Sequence, residues 1–117
     1  MKKYPFSKKE RLRKSSEYNY IYKAGKRLRR EEFTIFFAPS REKTGRIGVS
    51  MKRDTAKAVE RNRLKRRIKE AYRLNKHELK NSYDIVIKPK KIMACLSFNQ
   101  VESRLVKAFR EISGKCG

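Results

Sequence analysis

Three short stretches confine what this chain can fold into: EFTIFFA (32–38), RIGVSMK (46–52) and YDIVIK (83–88). In the first, Phe33, Ile35 and Phe37 fall on one face of an extended strand, with Thr34 and Phe36 on the other. In the second, Ile47, Val49 and Met51 point one way and Arg46, Gly48, Ser50 and Lys52 the other. The turn signals from Pro39 to Gly45 predict that these two strands form an antiparallel pair. The third stretch reads as a strand that Pro89 ends or pushes to a sheet edge.

Helices are expected around these strands. Ser15 or Ser16 can cap a helix with Glu17 in its first turn, Tyr18, Ile21 and Tyr22 define its face, and Gly25 is placed as a left-handed stop. A second helix follows the strand at 46–52, capped by Asp54 or Thr55. A third begins at the capping box Ser97-x-x-Gln100, with Phe98, Val101, Leu105, Ala108, Phe109 and Ile112 on one face, and closes before Gly114. A further short strand fits near Arg27–Arg30. The order α-β-β-(β)-α-β-α, with a strand, helix, strand run in its middle, predicts parallel strands at 46–52 and 83–88. The fold class is therefore an α/β (α+β) two-layer sandwich, a small mixed sheet with helices on its greasy face.

With 117 residues the expectation is one domain over 1–117 with a single modest core. The first dozen residues, MKKYPFSKKERL, are mostly basic and carry Pro5, which predicts an extended arm (1–12) pinned by Phe6 and Leu12. There is no internal repeat, and no apolar run approaches the roughly 20 residues of a membrane span. Cys95 and Cys116 lack metal-ligand spacing and His77 has no obvious metal partner in the sequence, so neither a zinc site nor a secreted disulfide framework is expected. Paired carboxylates, a His/Cys nucleophile arrangement and a phosphate-cradling Gly loop are missing too, so the chain does not read as an enzyme by itself.

What the chain does have is positive charge. Lys and Arg number 34 against 12 acids, a net charge of +22, and self-repulsion on that scale calls for a polyanionic partner. The charge concentrates in AVERNRLKRRIKEAYR (58–73). At about 100° per residue Leu64, Ile68, Ala71, Asn75 and Leu79 form an apolar stripe flanked by Tyr72, while Asn62, Arg66, Lys69 and Arg73 lie opposite, with Arg63 and Lys65 on the shoulders. Lys and Arg also occur on surface helices merely as good helix formers. That reading predicts neutralising acids one turn away, and only Glu60 and Glu70 appear. Arg61 and Asn62 break the pattern. Arg61 falls on the apolar flank, so its guanidinium must reach around the helix end or along the sheet, and Asn62 is a poor helix former with paired donor and acceptor groups. A second candidate is a trough of Tyr18, Tyr22 and Phe36 with Ser50 and Lys52, since aromatic platforms with cationic walls hold single strands by stacking, at about 1–3 kcal/mol per base.

RIGVSMKRDTAKAVERNRLKRRIKEAYR (46–73) resembles the signature segment of the bacterial ribonuclease P protein subunit family, an Arg-Asn-Arg followed by a basic helix, and RLRKSSEYNYIYKAGKR, EFTIFFA and YDIVIK extend the resemblance in order. The resemblance implies a left-handed strand-helix-strand crossover, against the general right-handed preference. It also implies an accessory subunit of a ribonucleoprotein endonuclease, whose RNA removes the 5′ leader of precursor tRNA. By position, Arg61, Asn62 and Arg63, continued by Lys65 and Arg66, then face the catalytic RNA, with Lys69 and Arg73 on the same ridge. Tyr18, Tyr22 and Phe36 match leader-cleft positions beside Lys52. Magnesium held mainly by RNA and substrate, ribonuclease P RNA and precursor tRNA as partners and no obligate protein partner follow from the same resemblance, while a cytoplasmic location with reduced thiols is expected from the residues themselves, which show no secretory-type start. Ala56 departs from the Gly common in the family, and KPK (88–90) departs from its usual Ala-Arg pattern. A structural ribosomal or general RNA-binding protein is the alternative.

Overall fold

Each of the three alternating stretches forms a strand, and the short basic segment before them forms a fourth. The computed structural model describes residues 12, 15–40, 45–79 and 82–116. Helix α1 spans Ser15–Ala24, β1 Lys26–Arg29, β2 Phe33–Pro39, β3 Arg46–Val49, α2 Ala58–Asn75, β4 Tyr83–Pro89 and α3 Phe98–Cys116. Apart from Leu12, which is buried and donates its backbone N–H to Ile47 O at 3.0 Å, the expected arm lies outside the described residues.

The sheet order is β1-β2-β4-β3, with β3 parallel to β4 and the other neighbours antiparallel. The expected parallel neighbours at 46–52 and 83–88 are therefore present, but the expected β2–β3 pair is not, because β4 lies between them. The reason is in the side chains. Tyr83 to Ile87 is buried at every position, as suits a strand covered on both faces. Four-residue β3, with half-buried Arg46 and Val49 at its ends, is left at the edge. Pro89 accordingly ends β4, opposite Phe33, and does not make it an edge strand.

One sheet face carries Phe33, Ile35, Phe37, Ile47, Ile85 and Ile87, all nearly or fully buried against Leu64, Ile68, Ala71 and Tyr72 of α2 and Val101, Leu105, Ala108, Phe109 and Ile112 of α3. Each such side chain contributes about 1.5–3 kcal/mol on burial. Helix α1 packs on the other face, where Ile21, Val86 and Leu12 form a second, smaller apolar cluster. The mixed α/β class holds, with that face covered only along α1.

Helix ends depart from expectation in four places. No described glycine has positive φ. Gly25 is needed for close approach, because a side chain there would run into the backbone carbonyls of Ile21 and Phe37. Asp54 and Thr55 do not cap α2. They sit in a 3-10 turn (Arg53–Thr55) closed by Thr55 N–H to Lys52 O at 3.1 Å, and the N-cap of α2 is Lys57, without a side-chain cap bond. Arg61 supplies the missing restraint by donating Nη1 to Arg53 O at 2.5 Å and to Ala56 O at 3.3 Å. Helix α3 continues past Gly114 to Cys116, with open space around Gly114. Its capping box forms as expected: Ser97 N–H donates to Gln100 Oε1 at 2.9 Å and Gln100 N–H to Ser97 Oγ at 3.3 Å. Helix α2 stops at Asn75, whose amide donates to Ala71 O and Glu102 at 2.9 and 2.8 Å, so Leu79 reaches the core from beyond the following 3-10 turn.

Candidate nucleic-acid interface

The face under α1 is ordered in rows across the strands. Register aligns Arg27, Phe36, Val86 and Gly48 in one row and Arg29, Thr34 and Lys88 in the next, with Ser50 N–H donating to Ile87 O at 3.0 Å and so extending that row past β3. Helix α1 lies along the first row. The Tyr18 ring covers Gly48, where a methyl group would collide with it. Tyr22 meets Phe36 edge to face, with ring centroids 5.0 Å apart and planes at 82°. Lys88 Nζ stands 4.8 Å from the Tyr22 centroid and 5.5 Å from that of Phe36, within cation–π reach of both.

Two depressions open on these rows. The first, about 320 Å³, is lined by Ser15, Tyr18, Asn19, Tyr22, Val49 and Ser50. The second, about 420 Å³, includes Thr34, Ser50, Lys52, Lys88, Lys90 and Lys91, and it reaches Asp54 and Thr55 in the turn before α2. Ser50 belongs to both. The structure thus brings Tyr18, Tyr22 and Ser50 into one cleft, joins Phe36 to it through the Tyr22 ring, and sets Lys52 in the basic depression next door.

An ion-paired triad fixes α1 against the strands. The Arg46 guanidinium straddles buried Asp84, with Nε to Oδ1 at 3.1 Å and Nη2 to Oδ2 at 2.8 Å, and its Nη1 also donates to Glu17 on α1. Asp84, chiefly through its hydrogen bonds, holds the Arg46 pKa above its ordinary value against the opposing effect of burial. Burial, then Tyr22 and then Glu17 raise the Tyr18 pKa, so its phenol stays a neutral donor; it lies 3.5 Å from Leu12 O, at the long limit of a hydrogen bond. Sequence reasoning missed Asp84 and Lys88. Each had a signal, as a charged residue at a sheet-facing position of an otherwise apolar strand.

On α2, Asn62, Arg63 and Arg66 are exposed, and Arg61, Lys65 and Lys69 half-buried. Arg73, expected to present charge on the ridge, is paired with Glu70 through Nε at 2.7 Å and Nη2 at 2.6 Å, because the two are three residues apart on one helix. Arg67 turns the other way and donates Nη1 to Leu96 O at 2.7 Å. The ridge is therefore concentrated in the N-terminal half of α2, near the turn that the basic depression reaches. For a metal ion the donor set is poor: among the described residues no three His, Cys, Asp or Glu side chains gather, and Asp84 and Glu17 are held by Arg46.

The Ribonuclease P family model matches residues 6–113. The chain belongs to the ribonuclease P protein family. The ribonuclease P protein component of Finegoldia magna is 42% identical over 108 residues, covering 92% of this chain and 95% of that protein. That of Thermotoga maritima is 34% identical over 113 residues, covering 93% and 97%. Among solved structures, the RNase P protein of Thermotoga maritima superposes with a TM-score of 0.79 at 33% identity, over 87% of this chain and 96% of that one. A Staphylococcus aureus RNase P protein mutant described as defective in mRNA degradation gives a TM-score of 0.81 over 92% and 90%, and at 24% identity it shows the shared fold. In this ribonuclease P protein no helix among the described residues is long and apolar enough to cross a membrane.

Proposed function

We propose that the chain is the protein subunit of ribonuclease P, binding the catalytic RNA through the start of α2 and the single-stranded 5′ leader of precursor tRNA through the cleft between α1 and the sheet. The observation that carries this reading is the continuity of the aromatic cleft of Tyr18 and Tyr22 with the basic depression of Lys52 and Lys88 through Ser50. Bases stack on rings at little cost in sequence preference, and phosphates take the lysines. The exposed groups of Asn62, Arg63 and Arg66, with Lys65 beside them, face the RNA subunit, while Arg61 shapes the turn in front of them.

The protein supplies affinity and position, and the RNA supplies the chemistry. Magnesium belongs to the RNA and substrate phosphates in this reading, since Asp84 and Glu17 are held by Arg46 and Asp54 alone remains beside the basic depression. The complex works in the cytoplasm in tRNA 5′-end maturation, and the protein alone is inactive. Reconstitution with a cognate catalytic RNA tests it. The protein should raise precursor-tRNA cleavage at low magnesium, and Phe36→Ala should weaken binding of leader-bearing tRNA more than of mature tRNA. No stimulation by the parent protein, or an equal reduction on both tRNAs, sinks the reading.

A further inference from the structure

Beyond the cleft, the second row of the sheet continues toward an edge that α1 leaves open. Arg29 on β1 is registered with Thr34 on β2, Thr34 with Lys88 on β4, and Ser50 lies beyond β4 in the same row. Thr34, Lys88 and Ser50 line one depression together, which places the row on the face that carries the cleft. Arg27, one row back, is registered with Phe36 and shares that face. At about 4.8 Å between neighbouring strands, the row from Ser50 to Arg29 spans roughly 14 Å. Arg27, Arg29 and Lys88 are exposed, and none is in an ion pair with an acid among the described residues.

Of the acids near this edge, Glu31 in the β1–β2 connection is exposed, and two others are engaged. Glu32, just past β1, binds Arg104 on α3, and Glu111 binds Arg30. Lys90 is tied back by donating Nζ to Arg30 O at 2.9 Å, which holds the cationic end of β4 against the β1–β2 connection. Asp54 is the carboxylate of the second depression, and it lies at the opposite end, by α2. At the β1 end the row closes on two exposed arginines, neither in an ion pair with an acid among the described residues.

We infer that the single-stranded track does not end at the aromatic cleft but crosses the sheet at right angles to the strands and leaves over β1, with Lys88 at the junction and Arg29 and Arg27 as phosphate ligands for leader nucleotides beyond the stacked ones. The inference rests on the leader reading above and extends it. Lys88 sits over the Tyr22 and Phe36 rings while its row-mates face the open sheet, so one ammonium bridges the stacking platform and the phosphate row. The occupant is single-stranded RNA, because a narrow band of cations, Lys88, Arg29 and Arg27, beside a stacking platform matches one backbone and not a duplex.

The test is equilibrium binding of the reconstituted holoenzyme to precursor tRNAs of increasing leader length, alongside mature tRNA. With the parent protein, affinity should rise as the leader lengthens beyond the aromatic cleft. Arg27→Gln with Arg29→Gln should remove that gain, and should lower the slope of log affinity against log salt by about 0.7 for each phosphate left without its arginine. Short-leader binding should be unchanged, and Arg29→Lys should restore part of the gain. Lys107→Gln, an exposed charge on α3, serves as the control and should leave length dependence intact. Length dependence that survives the double substitution overturns the inference while Phe36→Ala still impairs leader binding, which leaves the cleft reading standing. An equal reduction on mature tRNA or with Lys107→Gln also overturns it, because it marks general charge. If Phe36→Ala has no effect either, the leader reading itself fails.

Discussion

Gly25 and Gly48 are both places where a side chain has no room, and the neighbours in the way differ in kind. At Gly25 the obstacles are the backbone carbonyls of Ile21 and Phe37, which cannot swing aside. Gly25→Ala should therefore cost about 1–3 kcal/mol of stability by urea denaturation, the usual range for forced overpacking. At Gly48 the obstacle is the tip of the Tyr18 side chain, which can rotate away. Gly48→Ala should cost less than about 1 kcal/mol, yet weaken binding of leader-bearing tRNA because the displaced ring deforms the cleft. Parent-like leader affinity in that variant would show that the Tyr18 position is immaterial. Asp84 makes a third case. Asp84→Ala would leave Arg46, in a mostly buried place, with Glu17 alone and should cost up to about 3–5 kcal/mol, the range for breaking a buried ion pair. At this scale the sequence was informative where a residue violated its surroundings. Arg61 stood on an apolar flank and indeed reaches around the helix end. The partner of Asp84 lies 38 residues away, beyond the reach of any local pattern.

Elements were legible wherever their period was strong, and their neighbours only in part: the parallel β3–β4 pair was expected and is present, the β2–β3 pair is not. The alternation in β2 and the capping box of α3 appear as expected, because both are local. The insertion of β4 between β2 and β3 depends on which strand is buried on both faces, and that is decided by the α2–α3 layer and by α1 together. The start of α2 was misplaced because its restraint comes from Arg61 and not from an Asx or Thr cap, and its end because Asn75 turns its amide onto Ala71 O and Glu102. The join between sheet and α3 supplies a pH prediction. Glu32, at the turn into β2, has its pKa lowered mainly by its hydrogen bond to Arg104, which outweighs the opposing effect of burial. A carboxyl depressed in the folded state contributes stability above its unfolded pKa, about 4.3, and loses it as pH falls through the lower folded value. Denaturation midpoints should therefore fall on acidification below about pH 4.3, and Glu32→Gln should flatten part of that fall. An unchanged pH profile in Glu32→Gln would show that the Arg104 pair contributes nothing.

For the whole molecule, charge sets two opposite responses to salt. A chain with +22 repels itself when folded, so screening should stabilise the free protein, most steeply as ionic strength rises from about 0.01 M to 0.15 M and the Debye length falls from about 30 to 8 Å. A bound polyanion stabilises the folded state by mass action, and salt weakens that binding by removing the gain from counterion release. Thermal melts of the protein with and without ribonuclease P RNA across this range should show the free Tm rising while the RNA-induced shift shrinks. Arg63→Gln with Arg66→Gln should reduce the RNA-induced shift and lower the salt slope of binding by about one unit for each phosphate no longer neutralised. A free protein whose Tm is flat in salt would mean that its charges are already locally compensated, as Arg73 is by Glu70. An unchanged slope in the double variant would mean that the exposed start of α2 is merely solvated and that the RNA is held elsewhere on the surface.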